Sequence, residues 1–247
     1  MKTLQLFILL SFPFFAIGQS NSSIDVIGSL DYTYRTINGS GLIADIVKDS
    51  RDVEKGRLNW RAGFNYNQRL TDKLILKTGL RMAALGYKDK RDSEDFYTLR
   101  WGTQHNGNGE YDITYPSGED IEFFETKTNH FFLEIPIVLR YEFSNNKFSP
   151  YVEAGFGAMY YLFQRHVATV NGDKTVTTMP SSDDRLSANS FQIESIIAVG
   201  ANYNLNENLQ FFGQPTFRYH LNSLWDTDVK ERLWSAGLEI GLRKFLN

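Results

Sequence analysis

The sequence predicts an all-β fold, an eight-stranded antiparallel up-and-down transmembrane β-barrel, and three observations lead to it. Apolar and polar residues alternate with a period of two through most of the 247 residues, while helical periodicity is nearly absent. Beyond an apolar start, no segment approaches the roughly 18 consecutive apolar residues of a membrane-spanning helix. Short turns also alternate with long loops along the chain, which is the plan of bacterial outer-membrane barrels.

The first 18 residues have the pattern of a secretory signal peptide. Lys2 precedes an apolar run from Leu4 to Ile17, and Gly18 places a small residue before Gln19. The run has about 14 residues, fewer than the roughly 20 that a bilayer-spanning helix needs. We therefore expect cleavage after Gly18, so that 1–18 is a signal peptide and 19–247 is one barrel domain of the cell outer membrane.

The composition excludes several classes of protein. The chain has no cysteine, so it has no disulfide, no thiolate metal site and no lipid-bearing cysteine. It carries 26 basic and 29 acidic residues, a net charge of −3, and this balance does not favour nucleic acid as a partner. Outer-membrane lipid is the expected partner of an apolar barrel surface, and no cofactor is expected.

The first predicted strand, 24–35, shows the alternation clearly, because Ile24, Val26 and Leu30 lie on one face and Asp25 and Asp31 on the other. Seven further strands follow the same pattern, at 57–70, 74–87, 131–143, 150–162, 191–203, 209–221 and 234–243. The polar face of these strands carries the following charges in chain order: Arg57, Arg61, Lys77, Arg81, Glu134, Arg140, Glu142, Glu153, Glu194, Arg218 and Glu239.

The connections are sorted by length. Tight turns follow strands two, four and six, at 70–73, 144–147 and 204–208. Long loops follow strands one, three, five and seven, at 37–56, 88–129, 164–189 and 222–232. Two alternating stretches in the second long loop, 95–101 and 110–115, leave a ten-stranded barrel as the alternative, although neither has a clean apolar face nine residues long.

Aromatic residues on the apolar face fall near the two ends of the strands, as the two interfaces of a bilayer would select. The predicted girdles comprise Tyr32, Tyr34, Trp60, Phe131, Tyr160, Tyr219 and Trp234 near the long loops, and Tyr66, Tyr141, Phe143, Tyr203 and Phe211 near the turns.

The polar face would line the lumen, and an eight-stranded barrel is only wide enough for side chains to fill it. Buried charges must pair, so we expect one connected network that plugs the lumen. In particular, Arg81, Arg140 and Arg218 should lie within salt-bridge distance of interior glutamates, namely Glu134, Glu153, Glu194 or Glu239. A narrow channel for small solutes is the alternative interpretation of the same charges.

Two hairpins carry a resemblance to a known family. The segment Phe132-Leu-Glu-Ile-Pro-Ile-Val-Leu-Arg-Tyr-Glu-Phe143, followed by Lys147-Phe-Ser-Pro-Tyr-Val-Glu-Ala-Gly-Phe-Gly157, resembles PorT-like outer-membrane β-barrel domains of Bacteroidetes. The hairpin from Gly63 to Gly86 resembles the same family, whereas the first strand and the C-terminal Lys244-Phe245-Leu246-Asn247 depart from it. The resemblance implies an outer-membrane barrel, and the family includes a component linked to secretion.

The sequence contains no strong catalytic motif. The best local candidate joins His220 and Ser223 with Glu231, the side-chain types of a lipid-modifying hydrolase, but a rim histidine in a polar loop is the simpler interpretation. Acidic residues in 88–129 lack the ligand spacing of a cation-binding loop. We therefore expect a structural or interaction protein, not an enzyme, that contacts other envelope proteins through its long loops. A channel and an outer-rim lipid-modifying enzyme are the alternatives.

Overall fold

The structure, a computed structural model, describes residues 22–39, 54–92, 103–105, 111–113, 123–182, 188–226 and 229–246. The predicted signal peptide and parts of the long loops lie outside these residues. Among the residues described, no helix is long and apolar enough to cross a membrane. The strands, in chain order, are β1 (Ser22–Asn38), β2 (Glu54–Arg69), β3 (Leu74–Asp92), β4 (Thr103–His105), β5 (Tyr111–Ile113), β6 (Phe123–Glu142), β7 (Phe148–Val170), β8 (Asp173–Pro180), β9 (Phe191–Asn204), β10 (Leu209–His220) and β11 (Lys230–Leu246).

Eight long strands close into a ring in the order β1-β2-β3-β6-β7-β9-β10-β11, and every neighbouring pair is antiparallel. The ring closes where β1 pairs with β11 over its whole length, from Ser22 opposite Leu246 to Asn38 opposite Lys230. The predicted eight-stranded up-and-down barrel is therefore confirmed. Closure leaves the barrel wall without a free edge along these strands.

Both ends of the described barrel chain lie at the same end of the barrel as the three tight turns. Ser22 pairs with Leu246 on one side and with Gln68 on the other, one residue before β2 ends. Backbone hydrogen bonds close two of the turns, from Leu70 N to Leu74 O at 2.8 Å and from Leu205 N to Leu209 O at 2.9 Å. We call this the turn end, and the opposite end, where the long loops begin, the loop end.

The two faces of the wall differ in polarity as the alternation predicts. Outward residues such as Val26, Leu30 and Ile137 are 54%, 66% and 59% exposed, whereas the inward Asp31 and Glu134 are fully buried. A contiguous apolar surface on the outside and charge on the inside is the reverse of a water-soluble protein. It is the arrangement of a barrel that is surrounded by hydrocarbon.

The predicted girdle residues lie on the outer face at two levels. At the loop end, register places Trp60, Ala84, Phe131 and Phe163 in one row, and the rings of Phe131 and Phe163 stack at 4.4 Å. At the turn end, Tyr141 and Phe143 contact edge to face at 5.3 Å. The remaining predicted residues occupy the same two rims, namely Tyr32, Tyr34, Tyr160, Tyr219 and Trp234 at the loop end and Tyr66, Tyr203 and Phe211 at the turn end.

On one side of the barrel the wall continues beyond the loop-end girdle. β3, β6 and β7 pair up to Asp92, Phe123 and Val170, and β8 adds a further antiparallel strand to β7. The turn between β7 and β8 is the pair Asn171 and Gly172, both at positive φ (49° and 97°), as a two-residue hairpin turn requires. We call this extension of β3, β6, β7 and β8 the loop-end sheet.

The structure also decides between eight and ten barrel strands. Within the described residues, β4 and β5 pair only with each other, in a separate two-stranded sheet. Of the two stretches behind the ten-stranded alternative, 95–101 lies outside the described residues and 110–115 contains β5. The segment 164–189, which the sequence predicts as one long loop, is partly strand in the structure, because β7 and β8 form a hairpin within it.

We expect Gly63 to be indispensable for the wall. A β-carbon at Gly63 would lie 2.3 Å from the carbonyl oxygen of Leu80 and 2.6 Å from the Cα of Arg81. Gly63→Val should therefore lower the free energy of unfolding by about 1–3 kcal/mol, measured by urea titration in detergent micelles. Gly28→Val is the matched control, because nothing lies within 4 Å of a β-carbon at that position. Equal losses in the two variants would contradict this account.

Candidate functional site: the charged lumen and its outer mouth

The interior of the barrel is rich in basic and acidic side chains. Ten of the eleven charged residues predicted for the lumen have 3% or less of their surface exposed: Arg61, Lys77, Arg81, Glu134, Arg140, Glu142, Glu153, Glu194, Arg218 and Glu239. They come from all of the barrel strands except β1, and alternate positions on each strand turn them inward. Buried charged groups are tolerated only when they are paired. The ion pairs of these residues therefore determine whether the interior is filled.

Arg61 is the centre of the part of the interior ion-pair network that lies nearest the loop end. Its Nε donates to Asp31 at 2.9 Å, and its Nη1 contacts Glu134 at 2.7 Å and Glu194 at 3.0 Å. Nη2 donates to the second oxygen of Glu194 at 3.0 Å, which makes that contact bidentate. Arg218 approaches two of the same acids, Asp31 at 3.4 Å and Glu194 at 3.9 Å. One guanidinium thus joins acids from three strands.

Glu239 links this group to the middle of the barrel. It accepts from Arg218 at 2.6 Å and from Arg81 at 3.2 Å on the same oxygen. Its other oxygen accepts from the amide of Gln214 at 3.1 Å, and that amide also donates to Glu153 at 3.1 Å. Gln214 therefore bridges two carboxylates, and the network continues without a gap towards the turn end.

Glu153 is the centre of the lower part. Lys77 Nζ contacts it at 2.5 Å, and Arg140 Nε donates to it at 2.6 Å. The guanidinium of Arg140 also stacks over the ring of Tyr151 at 3.9 Å and donates to Asn202 at 3.3 Å. Each of Arg81, Arg140 and Arg218 thus lies within salt-bridge distance of at least one of the predicted glutamates.

The prediction of the network missed three charged residues that the structure places in the interior, namely Asp25, Asp31 and Arg243. Arg243 binds Asp25 through two nitrogens, at 2.8 and 3.1 Å, and Asp31 contacts Arg61, as described above. The signal is present in the sequence, because Asp25, Asp31 and Arg243 all occupy the polar phase of their strands. Assigning every charged residue on the polar face of a predicted strand to the lumen would therefore include all three.

Arg57 lies outside the network, contrary to the prediction. The pairing of β2 with β3 shifts between Gly56 and Trp60, so a bulge interrupts the alternation at this position. Arg57 is half-buried, and its Nη1 has no hydrogen-bond partner. A bulge adds one residue to a strand, and the sequence pattern alone does not reveal it.

Two residues of the segment after β10, Leu224 and Trp225, close the loop end of the lumen, and we call them the mouth plug. Leu224 is fully buried among the interior apolar residues Ala83, Leu85, Phe132, Met159, Tyr161 and Leu233. Trp225 lies 5.7 Å from the ring of His130 and donates through Nε1 to Glu231 at 2.8 Å. Arg35 binds the same carboxylate at 2.8 Å, which fixes the plug to the wall.

The candidate catalytic residues do not form a hydrolase constellation. His220 points into the barrel, where its Nε2 lies 3.6 Å from Glu194, and neither ring nitrogen has a hydrogen-bond partner. The Ser223 hydroxyl accepts the backbone N–H groups of Trp225 at 3.3 Å and Glu231 at 3.1 Å. The Glu231 carboxylate binds the mouth plug instead of the histidine. A nucleophile needs a base in hydrogen-bond contact and an orienting acid, and these three residues supply neither.

At the turn end the lumen opens into a polar cavity of about 370 Å³. Its lining includes Asn67, Arg69, Glu142, Gln210 and Arg243, and Arg69 pairs with Glu142 at 2.9 Å. In the part of the chain that the structure describes, no group of three or more histidine and acidic residues could hold a metal ion. Glu153 and its partners Lys77 and Arg140 are not part of this lining.

Residues 17–228 match the family described as "Outer membrane protein beta-barrel domain". No curated protein matches the chain. Among solved structures, Neisserial surface protein A (NspA) has 13% identity and a TM-score of 0.44, with 92% of this chain and 99% of that chain covered.

Two further structures have comparable similarity. A major outer membrane protein from Thermus thermophilus has 13% identity and a TM-score of 0.43, with 90% of this chain and 98% of that chain covered. The outer membrane protease OmpT from Escherichia coli has 8% identity and a TM-score of 0.43, with 92% and 97% covered. One of the three is named for an enzymatic activity and the other two are not.

Arg61→Met should be strongly destabilising, because it leaves the buried Asp31, Glu134 and Glu194 with less positive charge around them. We expect a loss of about 3–5 kcal/mol in the free energy of unfolding, measured by urea titration in micelles. The exposed Arg165→Met should change it by about 0.5 kcal/mol or less. Adding Glu194→Gln to Arg61→Met should recover part of the loss. If the double variant is no more stable than the single one, the carboxylates are not the cause.

Proposed function

The chain belongs to the outer membrane protein β-barrel domain family, and from this membership and its closed lumen we propose that it is a non-enzymatic interaction protein of the outer membrane. The observation that carries the proposal is the continuous side-chain network from Arg243 to Arg61, covered by the mouth plug. Its turn-end link runs from Arg243 to Glu142 at 3.7 Å and through Asn202 to Arg140. With its interior closed, the barrel meets other molecules through its outer surface and its loop end.

The loop-end sheet supports a role in protein contacts. β8 pairs only with β7 among the described strands, and none of these strands occupies its other edge. The two-residue turn makes Val170 and Asp173 a hydrogen-bonded pair, and such pairs recur at every second residue of a hairpin. Lys174, Val176 and Thr178 therefore direct their backbone groups away from β7. An extended segment of another envelope protein can pair with this edge.

The alternative of a narrow channel is testable on the same lumen. The refolded protein in planar lipid bilayers should give no steady conductance above background, because paired side chains fill the interior. Trp225→Gly, which removes most of the mouth plug, should leave the barrel closed, since the network around Arg61 and Glu239 lies beneath it. Steady single-channel steps from the wild type would favour the channel and contradict the proposal.

We further propose that the chain falls within the PorT-like group of the family, as the hairpins at 63–86 and 132–157 suggest. A link to secretion would follow from that placement. The genomic neighbours of the gene test it, because a closed barrel that serves a secretion system should be encoded with other components of that system.

The segment between β3 and β6 should be accessible from outside the cell. Protease added to intact cells should cut within 93–122, because β3 and β6 both extend past the loop-end girdle before this segment begins. The barrel should remain protected, with two fragments that stay associated until they are denatured. Cleavage at the tight turn between β6 and β7, with the 93–122 segment intact, would show that the barrel is inverted.

A further inference from the structure

Three lysines lie side by side on adjacent strands of the barrel wall. Lys55 on β2 is the register partner of Lys88 on β3, and Lys88 is the register partner of Lys127 on β6. Directly opposite residues in an antiparallel pair have their Cβ atoms about 4.5–5.5 Å apart, and like charges in this position repel. We call Lys55, Lys88 and Lys127 the lysine row.

The lysine row faces outward. Glu54, next to Lys55, is buried and binds Arg35 inside the barrel mouth. Tyr87, next to Lys88, stacks against the same arginine, whose guanidinium lies 4.0 Å from the ring centroid. Since neighbouring residues on a strand point to opposite faces, the lysines project from the outer surface. The Lys127 side chain is 43% exposed.

The row lies just above the loop-end girdle. Lys127 is four residues beyond Phe131, and Lys88 is four residues beyond Ala84, the register partner of Phe131. Four residues span about 13 Å along a strand, or roughly 10 Å along the axis of a barrel with strands tilted by about 40°. Lysine side chains can reach back from this height towards the membrane surface. This is the level of lipid head groups.

The positive charge of the row is poorly compensated by the protein. Lys127 pairs with Glu125, but Lys55 and Lys88 have no salt bridge among the described residues. Arg165, opposite Asn129 on β7, adds an exposed guanidinium to the same face. Unpaired like charges on neighbouring strands are unfavourable unless an anion binds between them.

We propose that the lysine row is a binding site for the phosphate groups of outer-leaflet lipid head groups. The site lies on the outer wall directly above the apolar belt, so the acyl chains of a lipid can lie along the strands while its phosphates meet the lysines. The proposal depends on the membrane placement of the barrel and not on the interaction role of the loop-end sheet.

The test uses the full barrel in neutral detergent micelles, with bound lipid measured by native mass spectrometry. The probe is lipid A that carries two phosphates. A triple variant, Lys55→Gln, Lys88→Gln and Lys127→Gln, should bind it at least tenfold more weakly, since each basic side chain near an anionic surface contributes roughly fivefold. The matched control is Lys73→Gln, Lys147→Gln and Lys244→Gln, three exposed lysines at the turn end, which should bind like the wild type.

Three further arms separate the explanations. The charge-preserving triple variant to arginine should bind within about threefold of the wild type, because the phosphate contact needs the charge. Lipid A without phosphates should bind as weakly to the wild type as intact lipid A binds to the glutamine variant. Inorganic pyrophosphate should not compete at equal concentration.

Several results would overturn the proposal. These are equal weakening in the turn-end control, equal binding of the dephosphorylated lipid, and displacement by pyrophosphate, which would indicate a site for free phosphate. Folding of each variant is checked by the shift in its gel mobility on heating. If the triple glutamine variant does not fold, Lys88→Gln alone takes its place with an expected weakening of roughly fivefold.

Discussion

The absence of water in the hydrocarbon layer is the constraint on which the rest of this structure depends. A backbone that crosses the membrane as strands must pair every N–H and C=O group with a neighbouring strand, and only a closed ring does this. The pairing of β1 with β11 along all 17 residues of each strand is therefore the condition for the fold. Once the ring is closed, alternate side chains must face either lipid or the lumen.

The lumen then sets a second condition, because eight strands enclose an interior that is only wide enough for side chains to fill. Arginine and glutamate are costly in such a place unless each finds a partner, and here the partners are shared among strands that are distant in sequence. Arg61 on β2 meets acids of β1, β6 and β9, so the interior ties opposite walls together. The contacts that hold the barrel together are thus also the contacts that fill its interior with paired side chains.

Most of the wall could be predicted from the sequence, because a strict period of two leaves each side chain one of two faces. The departures have local causes. The bulge near Arg57 adds a residue, and alternation cannot reveal such a step. The β7–β8 hairpin has a strong turn signal in Asn171-Gly172, but the sorting of connections by length places it within a long loop. Leu224 and Trp225 form an apolar pair in a loop, and their burial follows from tertiary contacts that no local pattern encodes.

The loop-end sheet also breaks the symmetry of the barrel. β3, β6 and β7 continue well past the girdle, whereas β9 begins at Phe191, level with Tyr160, and β10 ends at His220. A cylinder of even height would look the same to neighbours from every direction in the membrane plane. In this barrel the described wall is tall from β3 to β8, since β8 stands above β9 on the same edge of β7, and it is lower at β10. The described residues therefore give the barrel two unlike sides above the membrane, and a neighbour that rises out of the bilayer meets a different surface on each.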